Sequence, residues 1–209
     1  MTNQTLFKTI VGSHVWGMET PASDIDIFKA YIAPTYDILI GKQHLGSHFS
    51  QHHKEDITST EIGTVVTQLL KNNINYITYI YSPHILYGEN VLKSLRTATS
   101  GNISKLAYNS IHGMALSNYK KYIVTNKNPS PKRLNTIARV LQFGINLFDT
   151  GKIEFHPTHV TTPEEIEELL NILTISHSYT NLSETPSLPY LLENWLFDMR
   201  LNQLTEFQS

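Results

Sequence analysis

The chain has 209 residues, 40% of them hydrophobic, no cysteine and a net charge of −2. That length can bury one sizeable core, or a small catalytic region plus a helical second domain, and the missing cysteine excludes disulfides and thiolate metal sites. No apolar run approaches the ~20 residues that cross a bilayer, and the start, MTNQTLFKTIVGSH, lacks the basic end and long apolar stretch of a signal peptide, so a cytoplasmic protein with no membrane partner is expected.

The charge is unevenly spread. Residues 1–89 carry five lysines against eight acids, and residues 149–209 carry ten acids against Lys152 and Arg200. Between them, residues 90–148 hold nine basic side chains and no Asp or Glu. Two readings stay open. A basic surface faces an anion such as nucleic acid or a nucleoside triphosphate, or the acidic tail folds against the basic middle.

In chain order, the apolar run Leu6 to Val11 ends at Gly12 and predicts a buried strand. Residues 12–23 hold two glycines and a proline, a loop or a turn into a short helix. Asp24 to Tyr31 alternates acid and apolar at its start, as a half-buried strand does, and a third strand is expected from His53 to Ile57. Thr58 and Glu61 have the spacing of a capping box, opening a helix with Ile62, Val65, Val66, Leu69 and Leu70 on one face. The remainder reads as helical. The expected helices cover residues 102–125, 132–150 (stopping at Gly151), a segment opening at Thr162-Pro163, and about 190–207, with a linker over 180–189. A small α/β catalytic region over residues 1–89, followed by a helical bundle over 90–209, is the expected organisation.

The chemistry is concentrated in Gly12-Ser13-His14-Val15-Trp16-Gly17 and in Asp24-Ile25-Asp26, with ten residues between Ser13 and Asp24. In an extended strand, residues two apart share a face and lie about 7 Å apart, so Asp24 and Asp26 aim at one point while Ile25 and Ile27 turn to the core. Two carboxylates on one face repel unless a cation joins them, and hard oxygen ligands with open positions suit Mg2+. Gly12 allows a sharp turn, its neighbouring N–H groups and the Ser13 hydroxyl can cradle phosphate oxygens, and Gly17 permits a second close approach of backbone to ligand. A two-ion site, with ions about 3.5–4 Å apart, polarises an α-phosphate and activates a hydroxyl for in-line attack. Such a site wants a third carboxylate. Asp56, on the third expected strand, is the candidate, with Glu55 as the alternative because a one-residue register change exchanges their faces.

The same stretch resembles the DNA polymerase beta nucleotidyltransferase superfamily, whose signature is Gly-Ser, a loop, then Asp-x-Asp. GSHVWGMETPASDIDIFKAYIAP is similar to a group of its members associated with RNA repair. KEDITSTEIGTVVTQLLKNN is similar to that group's Asp-containing strand and helix, and KRLNTIARVLQFGINLFDTGKIEF to its later basic helix, which ends in a short strand. The resemblance implies an α+β fold: a small mixed-sheet, palm-like catalytic domain (1–89), then a helical, substrate-binding domain (90–209). It implies that Asp24 and Asp26 hold metal, that Asp56 completes the triad, and that Gly12 and Ser13 hold the triphosphate. Lys132 and Arg139 match basic positions that can contact phosphate. Two departures bear on substrate choice. Thr136 stands where a histidine often precedes the arginine by three residues, and Phe28 and Lys29 stand where arginine or glycine is common.

His48, His52 and His53 are expected as loop residues, and adjacent His52 and His53 cannot easily share one ion. His14 either touches a phosphate or is a variable loop side chain. Trp16 reads as a wedge packing the loop on the core rather than a base-stacking ring. Tyr76, Tyr79, Tyr81 and Tyr87 read as buried helix or strand more readily than as a stacking surface. Lys120-Lys121 is a solvated helix face unless it aligns in space with Lys132, Arg133 and Arg139.

The leading expectation is an enzyme using two Mg2+ ions to move a nucleoside monophosphate from a nucleoside triphosphate to a hydroxyl, preferably an RNA end such as a tRNA 3′ terminus. Resemblance to other superfamily members leaves adenylylation of a protein partner, antitoxin-like, or of a small molecule. A non-enzymatic nucleotide-binding module is the third possibility, and the intact Gly-Ser and Asp-x-Asp argue against it.

Overall fold

The apolar run before Gly12 forms strand β1 (Gln4–Ile10), and the segment after Asp24 forms β2 (Ile25–Ile32). The computed structural model describes residues 3–42, 46–52, 54–127 and 129–205. The chain divides into two units: Met1–Val15, Thr20–Asn102 and Pro186–Ser209 make the first, and Trp16–Glu19 with Ile103–Thr185 the second.

The first unit is built on a mixed five-stranded sheet completed by β3 (Ser47–His52), β4 (Glu55–Glu61) and β5 (Ile85–Tyr87), in the order β3-β4-β2-β1-β5. β2 and β4 run parallel; the other neighbours are antiparallel. Its helices are α1 (Thr35–Leu39), α2 (Ile62–Leu70), α3 (Ile74–Tyr81), α4 (Glu89–Ser100) and α8 (Pro189–Thr205). The fold is α+β. Because side chains alternate along β2, Asp26 shares a face with Phe28 and Ala30, both fully buried. Phe28 stacks on Tyr79 of α3 at 4.4 Å between centroids and meets Tyr76 at 6.0 Å, which makes these tyrosines packing residues. Arg96 of α4 donates to the carbonyls of Ile80 (2.5 Å) and Ser82 (2.7 Å), a cation satisfying the orphan carbonyls at the end of α3.

α8 is tied to the sheet by a buried ion pair. Arg200 Nη2 lies 2.5 Å from Glu61 Oε1, and Arg200 Nη1 donates to the Ala33 carbonyl at 3.0 Å. Glu61 is fully buried, and its other oxygen accepts from Gly63 N at 2.7 Å, capping α2. The helix therefore opens four residues after the expected Thr58 cap. Parallel pairing with β2 continues through Tyr31 and Glu61, and this ladder takes Thr58 into the sheet.

The second unit contains α5 (Ala107–Tyr119), a π-helical turn (Lys120–Thr125), α6 (Pro131–Thr150) and α7 (Pro163–Tyr179). Proline opens α6, and Gly151, at φ +72°, ends it in the left-handed cap conformation. Thr162 and Glu165 form a capping box at α7. Gly144 of α6 lies against side chains of both α5 and α7. A Cβ there would meet Leu173 Cδ1 at 2.7 Å and Ile111 Cγ2 at 2.8 Å.

Other expectations need correcting. The third expected strand is the longer β4, and an unforeseen strand, β3, pairs with it. His48 and His52 lie on β3 rather than in a loop; His53 lies outside the described residues. The expected helix over 102–125 starts only at Ala107 and ends in the π turn. No strand follows α6 among the described residues 152–161. No helix among the described residues is long and apolar enough to cross a membrane.

Two stability predictions follow from this packing. Arg200→Ala leaves the Glu61 carboxylate buried without its partner and should lower the unfolding free energy by about 3–5 kcal/mol in urea titrations; a loss under ~1 kcal/mol contradicts the structural role given to the pair. Gly144→Ala gains about 1 kcal/mol of helix propensity but overpacks a contact costing about 1–3 kcal/mol, so a net loss is expected, and a higher melting temperature would refute the close approach.

Candidate active site

The site begins where β1 ends. Val11 N donates to the Asp26 carbonyl at 2.8 Å, Ile10 N donates to His84 O at 2.9 Å, and Ser82 Oγ donates to Ile10 O at 2.5 Å. The strand end is thus held from both sides as the chain turns. Gly12 has φ +68°, and a Cβ on it would lie 1.9 Å from Asp26 Oδ2. Only glycine lets the Asp26 carboxylate rest against the turn. Gly12–Trp16 then forms a short 3-10 helix carrying Ser13 and His14.

The parallel ladder sets Asp26 opposite Asp56 and Ile25 opposite Glu55. Paired residues point the same way, so Asp56 shares the face of Asp26, and Glu55 takes the other face. Asp26 and Asp56 are half-buried. Asp24 is exposed, at the residue before β2. Like charges side by side in a ladder are costly. The field of Asp26 reaches Tyr79: burial first, then Tyr76 and Asp26, push the Tyr79 hydroxyl up to about 12. Tyr79 therefore stays protonated near the carboxylate.

Two polar atoms in this part of the first unit, Asp56 Oδ1 and His14 Nδ1, are buried with no hydrogen-bond partner among the described residues. A buried carboxylate oxygen left unpaired costs about 1–3 kcal/mol or more, and such an atom in a native fold is completed by water, an ion or a ligand. The donor set is hard oxygen, as Mg2+ requires. The residues present therefore fit a divalent cation, although no three Asp, Glu or His side chains among the described residues stand close enough to one point to hold an ion.

The other expected site residues lie in the second unit. Gly17 has φ +61° and open space around its Cα. Lys132 is exposed on the first turn of α6. Arg139, on the same helix, places its guanidinium 5.7 Å from the Trp16 ring centroid. Trp16 is buried, edge-on to Phe143 and Phe155 at 5.8 and 5.1 Å, which is a wedge rather than a base platform. Sequence reasoning reads Tyr79 as packing in preference to a base-stacking surface; its electrostatic link to Asp26 is signalled by no more than the tyrosine density of its segment.

Three similarities bear on this arrangement. Over 47 residues the chain is 40% identical to an uncharacterized 38.9 kDa protein encoded in the nrdC–mobD intergenic region of Enterobacteria phage T4, an alignment covering 22% of this chain and 14% of that protein. Over 153 residues it is 27% identical to an uncharacterized protein of Methanocaldococcus jannaschii, covering 71% of this chain and 62% of that one. The chain thus spans less than two thirds of the length of either curated relative. A family model, described as RlaP, the RNA repair pathway DNA polymerase beta family, matches residues 2–205. With its Gly-Ser turn set against an acidic strand pair and nearly its whole length matched, the chain belongs to the RNA repair pathway DNA polymerase beta family.

Proposed function

We propose that this chain is a nucleotidyltransferase that moves a nucleoside monophosphate from a nucleoside triphosphate to a hydroxyl acceptor, an RNA 3′ end. The observation that carries the reading is the in-register pair Asp26–Asp56, with a buried oxygen that has no partner among the described residues, beside a glycine turn whose Cα touches the Asp26 carboxylate. Family membership supports the chemistry, and the acid-free basic segment over residues 90–148 supports an anionic acceptor.

Each residue has a role in this proposal. The Gly12 and Ser13 N–H groups and the Ser13 hydroxyl bind triphosphate oxygens. Asp26 and Asp56, joined by Asp24, hold two Mg2+ ions, which when bound neutralise charge on the phosphates and the leaving group. Asp56 positions the acceptor hydroxyl and takes its proton. The hydroxyl oxygen bonds to the α-phosphorus as the bond to the β-phosphate oxygen breaks, and pyrophosphate leaves. Tyr79, held neutral, adds no negative charge to the site. Gly17, Lys132 and Arg139 are assigned to nucleotide binding.

Purified protein, Mg2+, each of the four labelled triphosphates and RNA should give labelled RNA. Asp26→Asn and Asp56→Asn should each cut transfer at least about 100-fold. Removing one of two like charges in register should leave the metal-free melting temperature no lower than wild type. Transfer at wild-type rates by both variants, or no product from wild type with any triphosphate, would sink the proposal. Gly12→Ala puts an L side chain in the left-handed region, at a cost of about 1–2 kcal/mol, and displaces Asp26. It should weaken triphosphate binding in calorimetry, and unchanged affinity would remove the turn from the site.

A further inference from the structure

Within the second unit, the π-helical turn Lys120–Thr125 carries Tyr122, and two cations from different elements reach its ring. Lys121 Nζ lies 5.2 Å from the ring centroid, and the Arg133 guanidinium carbon, from the first turn of α6, lies 4.8 Å from it. Neither cation has a carboxylate partner among the described residues, whose ion pairs lie elsewhere. Lys120, Lys127 and Lys132 are exposed on the same stretch, and residues 90–148 contain no acid.

This arrangement is costly by itself. Each cation–π contact is worth about 0.5–1 kcal/mol at an exposed site, while two positive groups at most about 10 Å apart repel at low salt. π-helical turns are rare and concentrate at functional sites. The ring acts as a brace. It holds two side chains, each carrying about 2 kcal/mol of rotamer entropy, close to one place, so an arriving anion meets groups already ordered. One small anion would leave the neighbouring lysines unused. A chain of phosphates matches a row of cations, and Arg133 can grip a phosphate with two N–H groups.

We infer that Lys121, Tyr122 and Arg133 form a backbone grip for single-stranded RNA in the second unit. The inference deepens the RNA-acceptor reading and rests on it for the choice of RNA over another polyanion. The grip reads phosphate rather than sequence, so affinity should depend steeply on salt and little on base composition.

The test uses the full chain and a fluorescein-labelled single-stranded RNA, with anisotropy titrations over a salt series. Lys121→Gln/Arg133→Gln should weaken binding about tenfold, and the slope of log affinity against log salt should fall by about 1.4, ~0.7 for each phosphate no longer neutralised. Tyr122→Leu should weaken binding about threefold by freeing both cations, and Tyr122→Phe, which keeps the ring, should bind as wild type. If the double variant melts early, Lys121→Gln alone should show half the change in slope. A double variant with wild-type affinity and slope overturns the grip, as does wild-type protein that fails to bind RNA at low salt. Asp26→Asn separates the two readings. RNA binding that needs Lys121 and Arg133 but supports no transfer defeats the acceptor reading and keeps the grip, whereas RNA transfer unaffected by the double substitution at limiting RNA defeats the grip and keeps the chemistry.

Discussion

The parallel pairing of β2 with β4 is the constraint on which the candidate site depends. A slip of one residue would put Glu55 opposite Asp26 and carry every side chain of β4 to the opposite face. Parallel strands cannot be joined by a tight turn, so the chain needs a crossover, here through α1 and β3. Several features hold the register. β2 and β4 each have a strand on both sides, Phe28 is packed under α3, and the last ladder residue, Glu61, is locked between the start of α2 and Arg200 of α8. The C-terminal helix, far away in the chain, therefore bears on where an acid of β4 stands.

The site opposes the fold it sits in. Two acids share one row of the sheet, one carboxylate oxygen is buried without a partner among the described residues, and a glycine is held at positive φ against a charge. Each feature would be selected against in a purely structural sheet. The same unit holds a solvent-free core that includes Ile62, Val65, Leu69, Ile74 and Ile77, and strained features persist where the surrounding structure over-determines them. Such local conflict inside a well-packed frame is what a site for charged ligands looks like before ligand chemistry is considered.

The basic middle of the chain divides into several kinds of residue once folded. Arg96 is engaged by the carbonyls at the end of α3, Lys105 pairs with Glu184 of the acidic tail at 2.6 Å, and Arg139 lies over Trp16. Lys121 and Arg133 converge instead on Tyr122. The acidic tail thus meets the basic segment at Lys105, through Glu184, and at Tyr119, whose hydroxyl donates to Glu167 at 2.6 Å.

Local signals made part of this protein legible in its sequence. Apolar runs broken by Gly12 announced a strand, a turn and a second strand. The 3.6-residue period between Pro131 and Gly151 announced α6, and Thr162-Pro163 announced α7. The Thr58 capping pattern misled because a non-local ladder claimed that residue. β3 went unseen because SHFSQH is too polar to read as a strand without β4 beside it. By itself the sequence determined which residues carry the acids, the glycine turn and the basic segment, since these depend on residue type and short spacing. Only the tertiary structure decided that Asp56 rather than Glu55 stands beside Asp26, that α8 returns to the first unit, and that two of nine basic residues meet on one ring. Strand register and side-chain convergence join residues distant along the chain, and local spacing carries no information about them.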